Sequence, residues 1–160
     1  MNRLLFLLGL LIALSTSATA QSYDRAIGLR FGHPLSVSYK KFLNPRDAVE
    51  LYAGWWGWKR YRAFSLNGAY QVHRDFAEVR NLRWYYGLGA GVQFWNYDRY
   101  ERGNATVSVS GYLGLEYLLP DIPFTITLDW RPTAYLGRHR EDDFHYYSLP
   151  SGGLAVRYVF

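Results

Sequence analysis

The 160-residue chain contains no cysteine, which excludes disulfides and also the lipid-anchoring cysteine that would follow the export signal of a lipoprotein. After its first twenty residues it has no apolar run near the ~18 to 20 residues that a membrane-spanning helix needs. If it enters a membrane, it does so as strands. Lysine is scarce, with 3 Lys against 15 Arg. The formal charge of +5 is scattered rather than gathered on one face, which argues against nucleic acid as a partner. No phosphate loop is present, because Gly87-x-Gly89-x-Gly91 lies inside an apolar alternating stretch and opens no helix. No His or carboxylate spacing on a regular element fixes a metal, and no cofactor is expected.

The two ends of the chain are informative. At the front, Arg3, the apolar run Leu4 to Leu14 and the small-residue site Ala18-Thr19-Ala20 read as an export signal covering residues 1–20. At the back, Leu154, Val156, Tyr158 and Phe160 alternate with Ala155, Arg157 and Val159, an amphipathic strand that stops on an aromatic. Residues 21–160 make one domain.

Eight segments with period-two alternation are separated by turn chemistry. They run Arg25 to Gly32, Ser36 to Leu43, Ala48 to Gly57, Tyr61 to His73, Asn81 to Trp95, Thr106 to Leu119, Pro123 to Gly137 and Gly152 to Phe160. Eight is the smallest even number that closes a membrane barrel. One alternating set is apolar and free of charge, for example Leu66, Leu88, Leu115 and Leu128. The other is small and polar and carries Arg30, Lys40, Glu50, Arg83, Glu116, Asp129 and Arg157. That second set is too sparsely charged to cover a soluble barrel but suits a narrow lumen in which charges of opposite sign satisfy one another. The fold expected is all-β, an eight-stranded antiparallel up-and-down transmembrane barrel with the apolar set facing lipid. The Gly87, Gly89 and Gly91 run is expected to leave volume for long side chains from opposite strands.

Aromatics cluster at the strand ends. Trp84, Tyr86, Tyr117, Phe124, Tyr158 and Phe160 fall toward the end that carries the termini, and Trp55, Trp56, Phe94 and Trp95 toward the other, as two interfacial girdles would. The Gly-rich aromatic strands and the closing Arg157-Tyr158-Val159-Phe160 resemble small bacterial outer-membrane barrels of the OmpA or OmpX architectural type. That resemblance implies a bacterial outer-membrane location, a monomer, outer-membrane lipid and lipopolysaccharide as surroundings, and recognition of the last strand by the barrel-assembly machinery. It carries over no catalytic residue.

The last outer connection, Arg138 to Ser151, is the richest polar cluster. His145, Ser148 and Asp142 are the residue types of an acyl-transfer triad, and some barrels resembling this one modify lipid A. The His145-Tyr146-Tyr147-Ser148 spacing puts His145 and Ser148 on opposite strand faces unless the chain bends, so the favoured reading is a structural or surface-interaction barrel with a plugged polar lumen. A lipid A-modifying enzyme and a narrow low-conductance pore are the alternatives. Lys59, Arg60 and Arg62 beside the Trp cluster are candidate lipopolysaccharide contacts, set against an ordinary girdle with basic flanks.

If Phe160 is part of an insertion signal, its deletion lowers assembly into the outer membrane and leaves degraded or periplasmic protein. Heat-modifiable gel migration is the readout, and unchanged migration without Phe160 counts against that role.

Overall fold

The computed structural model describes residues 23–32, 34–58, 61–97, 104–136 and 146–160, and at 56–58, 61–62, 95–97, 104 and 146–151 it describes the backbone alone. Among these residues there are eight strands: β1 (Arg25–Phe31), β2 (Leu35–Phe42), β3 (Asp47–Trp58), β4 (Tyr61–Asp75), β5 (Leu82–Tyr97), β6 (Asn104–Leu118), β7 (Phe124–Leu136) and β8 (Tyr146–Val159). Each pairs antiparallel with the next, and β1 pairs with β8 to close the barrel. Closure leaves no free sheet edge to attract another chain.

Alternation decides which face turns inward. Leu88 is 71% exposed and Leu128 59%, whereas Lys40, Glu50 and Arg157 are each at 0%. A water-soluble barrel hides its apolar set; this chain hides its charges and presents its leucines, valines and aromatics outward. An exterior of that composition far exceeds the apolar patches that soluble monomers carry.

Paired residues followed round the wall from Arg157, through Gly28, Ser38, Tyr52, Asn67, Gly91, Ser108 and Tyr135, return to β8 at Tyr146. A stagger of about 11 residues over eight strands tilts the strands by about 40°. Side chains that meet across the interior therefore come from very different ladder positions.

The connections beside the termini are tied locally. Asn44 Oδ1 accepts from the backbone N–H of Arg46 (2.9 Å) and Asp47 (2.8 Å), which fixes the β2–β3 turn. Asn81, with φ at 64°, takes the left-handed conformation that asparagine tolerates, and its carbonyl accepts from Leu118 N–H at 2.9 Å. Arg25 and Phe160 exchange both backbone hydrogen bonds, at 3.1 and 2.9 Å, sealing the β1–β8 seam at its end.

Seven of the eight segments expected from sequence agree with the strands to within two residues. The last does not: β8 begins at Tyr146 rather than Gly152, so residues 146–151, Ser148 included, belong to a strand. Pro150, Ser151, Gly152 and Gly153 read as loop chemistry, but they belong to β8. The β7–β8 register shifts between Arg131 and Thr133, where Ser151 faces Arg131 and Ser148 faces Thr133. Pro132 and Pro150 both fall in that interval, where neither is asked for a ladder N–H.

The glycines of β5 also differ from expectation. A Cβ on Gly89 would lie 3.0 Å from Tyr112 Cε2, and one on Gly87 3.2 Å from Gln71 Cγ, so adjacent strands rather than opposite ones fill the space. Gly114 has the sharpest need for a missing side chain. A Cβ there would lie 2.6 Å from Tyr85 Cζ and 2.8 Å from Asp129 Cβ and the Leu128 carbonyl oxygen. Gly114→Ala therefore costs about 1 to 3 kcal/mol through overpacking, read as a lower urea midpoint of the folded barrel in detergent. An unchanged midpoint contradicts the packing described.

Candidate functional site

The polar set converges inside the barrel in three tiers. Nearest the termini, Lys40 Nζ donates to Glu116 Oε2 at 2.5 Å and to His73 Nε2 at 2.9 Å. An ammonium has only donors, so His73 Nε2 accepts and Nδ1 carries the proton. Nδ1 is buried without a hydrogen-bond partner among the described residues. Tyr23, just before β1, donates its hydroxyl to Glu116 Oε1 at 2.8 Å. Burial, and then the Glu116 carboxylate, hold the Tyr23 phenol well above its ordinary pKa, so the hydroxyl remains a donor. Phe42 packs edge-on against Tyr23 and His73, with ring centroids at 5.0 and 4.9 Å, and Lys40 lies 5.0 Å from the Tyr85 ring centroid. At the rim, Arg83 Nε donates to Asp75 Oδ1 at 2.7 Å.

The middle tier is organised on Glu50. Its Oε1 accepts from Arg157 Nη2 and, at 3.3 Å, from Arg30 Nη1, and its Oε2 accepts from Gln71 Nε2 at 2.7 Å. Arg157 also donates from Nε to Ser38 Oγ (2.9 Å) and from Nη1 to Thr127 Oγ1 (2.6 Å). Arg30 Nη2 donates to Asp129 Oδ2, which accepts the Tyr85 hydroxyl at 2.7 Å as well. Across these two tiers, Arg30, Lys40 and Arg157 face Glu50, Glu116 and Asp129, three charges of each sign.

Toward the other end, Tyr52 and Tyr112 share a hydrogen bond of 2.5 Å between their hydroxyls, and Arg131 Nη1 donates to Tyr52 OH at 2.8 Å. Ser110 and Thr133 hydroxyls are bonded at 2.9 Å.

Arg30, Lys40, Glu50, Arg83, Glu116, Asp129 and Arg157 are all buried on the inner face. The first three with Glu116, Asp129 and Arg157 form the connected middle and lower tiers, while Arg83 turns to Asp75. On the outside, Trp84 and Tyr86 lie 5.7 Å apart, Phe124 and Tyr158 5.5 Å, and Tyr158 and Phe160 6.3 Å, with Tyr117 also exposed. At the far end Phe94 lies 6.4 Å from Phe64, and Trp55 is exposed. Trp56, Arg62, Trp95 and Ser148 lie on strands whose side chains at those positions are outside the described residues. Residues 1–20, Lys59, Arg60, Asp142 and His145 are outside them altogether. No three His, Cys, Asp or Glu side chains gather to hold a metal among the described residues.

Sequence reasoning missed Tyr23, Phe42, His73, Asp75, Tyr112 and Arg131. Parity could have found five of them: Phe42 follows Lys40, His73 and Asp75 follow Gln71, Tyr112 follows Ser110, and Arg131 follows Asp129, each on the inward face. Tyr23 precedes the alternation and has no such signal.

No protein-family model and no curated protein matches the chain. Solved structures do. The N-terminal β-barrel domain of Pseudomonas aeruginosa OprF aligns over 88% of this chain and 98% of its own, with 14% identity and a TM-score of 0.60. The chain has the fold of a small outer-membrane barrel. Neisserial surface protein A aligns over 86% of this chain and 94% of its own at 15% identity (TM-score 0.45), and Ail of Yersinia pestis over 85% and 93% at 14% (TM-score 0.44).

Glu50→Ala leaves two buried guanidiniums without their shared carboxylate, and costs about 3 to 5 kcal/mol. The control Glu78→Ala, on an exposed turn, stays within about 0.5 kcal/mol. Urea unfolding of the two variants side by side makes the comparison, and equal stability would contradict the central role of Glu50.

Proposed function

We propose that this chain is an integral protein of the bacterial outer membrane, a monomeric barrel whose lumen is plugged by its own charges and whose role is structural or surface-interacting through the outer connections. One observation carries the reading: the apolar residues face outward on all eight strands while ions of both signs pair inside. Lipid is the solvent in which that inversion lowers the free energy, because aliphatic side chains meet acyl chains and every buried charge keeps a partner.

The exposed aromatics at each end support interfacial anchoring, since amphipathic rings prefer the headgroup level. The interior supports a plug because eight strands enclose only enough room for side chains. The likeness to outer-membrane barrels supports the location through fold alone.

Leu128→Arg tests the lipid-facing assignment. Near the bilayer midplane it costs about 2 to 4 kcal/mol, seen as a lower unfolding midpoint in lipid vesicles and less protein in the outer-membrane fraction. Unchanged stability in vesicles contradicts the assignment. Mass analysis of lipid A from cells with and without the protein tests the role: an unchanged acyl pattern is expected, and a lost or gained acyl chain that depends on His145 and Ser148 would make this a lipid-modifying enzyme.

A further inference from the structure

The outward face at the end that carries the termini is not uniform. On β5 to β8 the outward strand residues there are rings and aliphatics without a charge, among them Trp84, Tyr86, Tyr117, Phe124 and Tyr158. On β1 and β2 the same end carries two cations. Arg25 and Lys41 are direct partners in the β1–β2 ladder, both exposed and both on the outward parity, since Ala26 and Lys40 beside them are buried. Arg25 exchanges its backbone hydrogen bonds with Phe160 on the other side, so its pair with Lys41 is of the kind without ladder bonds, whose Cα atoms stand only about 4.5 Å apart. Like charges set directly opposite destabilise a sheet.

The carboxylates nearby cover that charge only in part. Arg25 Nε donates to Asp24 Oδ2 at 3.3 Å, a contact between two exposed side chains that leaves both Nη groups of Arg25 outside it. Lys41 has no hydrogen bond or ion pair among the described residues. Asp47, the outward acid on β3, accepts from Asn44 Nδ2 at 2.6 Å and is hydrogen-bonded to Tyr70. Further along the same two strands Ile27 pairs with Tyr39 and Leu29 with Val37, an apolar column on the outward face. Tyr158 and Phe160, stacked with centroids 6.3 Å apart, flank it. Rings of this kind mark the headgroup level, where a cation pair attracts phosphate. The two strands thus offer the outline of one lipid molecule, a charged head at Arg25 and Lys41 and an acyl chain along Ile27 and Leu29.

We infer that Arg25 and Lys41, with the Ile27 and Leu29 column beside them, hold one anionic phospholipid in the leaflet at the terminal end of the barrel. The inference rests on the membrane reading above and adds to it a lipid class and a place. It is separate from Lys59, Arg60 and Arg62, which fall in the β3–β4 connection at the opposite end. The headgroup is anionic because a zwitterionic one brings an ammonium of its own against two cations.

The test folds the full chain into phosphatidylcholine vesicles, extracts it into a mild nonionic detergent, and titrates it with phosphatidylglycerol or phosphatidylcholine while native mass spectrometry counts bound lipid. The first phosphatidylglycerol binds more tightly than the first phosphatidylcholine, and its dissociation constant rises about fivefold in Lys41→Gln and in Arg25→Gln, the share of one cation at an anionic membrane surface. Both residues are exposed, so neither substitution disturbs the interior. Arg74→Gln, which removes another exposed outward cation two strands away on β4, leaves the constant unchanged. Equal affinity for the two lipids overturns the inference, as does an equal loss in Arg74→Gln, which would mark a diffuse charge effect. Displacement of the lipid by glycerol phosphate at the same concentration also overturns it, because the pair would then hold a phosphate and not a lipid. These three outcomes leave the membrane reading standing. A chain that fails to fold into the vesicles overturns that reading and this inference together.

Discussion

The structure depends on the pairing of Glu50 with Arg157 and Arg30. An eight-stranded barrel is too narrow to hydrate an ion in its interior, so a charge turned inward has to find its counter-charge among the other side chains that line it. Glu50 gives one oxygen to two guanidiniums and the other to Gln71. Because Arg157 belongs to β8, Arg30 to β1 and Glu50 to β3, the contact bridges the seam where the first and last strands meet. The covalently least constrained junction of the barrel thus has a buried ion cluster behind it.

The other features follow from that arrangement. Arg30 is held in place by Asp129, Asp129 by Tyr85, and the Tyr85 ring can reach Asp129 only because position 114 has no side chain. Lys40, Glu116 and His73 repeat the logic one tier nearer the termini, with Tyr23 closing over Glu116 from outside the strands. Once the polar positions are spent on the interior, the alternating positions can be wholly apolar, and the exterior becomes a surface suited to acyl chains. The stagger around the wall lets residues distant in the ladder meet, so the two tiers together draw on all eight strands rather than running down one pair.

The barrel, its strand number and its inward and outward faces were legible because period-two alternation is a local property and closure follows from the count. Arg83 belongs to the inward alternation, yet its partner Asp75 lies beyond the alternating segment that ends at His73. The start of β8 is hidden because Pro150, Gly152 and Gly153 carry turn chemistry, whereas Gly152 and Gly153 pair regularly with Trp130 and Asp129 and Pro150 falls in the irregular interval that also holds Pro132. Partner identities were out of reach for a geometric reason: pairing across a tilted, staggered wall depends on the shear, which no single strand encodes. Tyr23 was invisible because a residue outside the alternation enters the interior only once the barrel mouth exists.

Ion flow through the reconstituted protein tests the central claim most directly. Planar bilayers in molar potassium chloride, with one protein inserted, should show little or no steady conductance for the wild type, because the Glu50 and Glu116 tiers fill the passage. A stable, large conductance that persists unchanged when Arg30 is replaced by Gln would contradict this, since the paired charges would then not be what closes the interior.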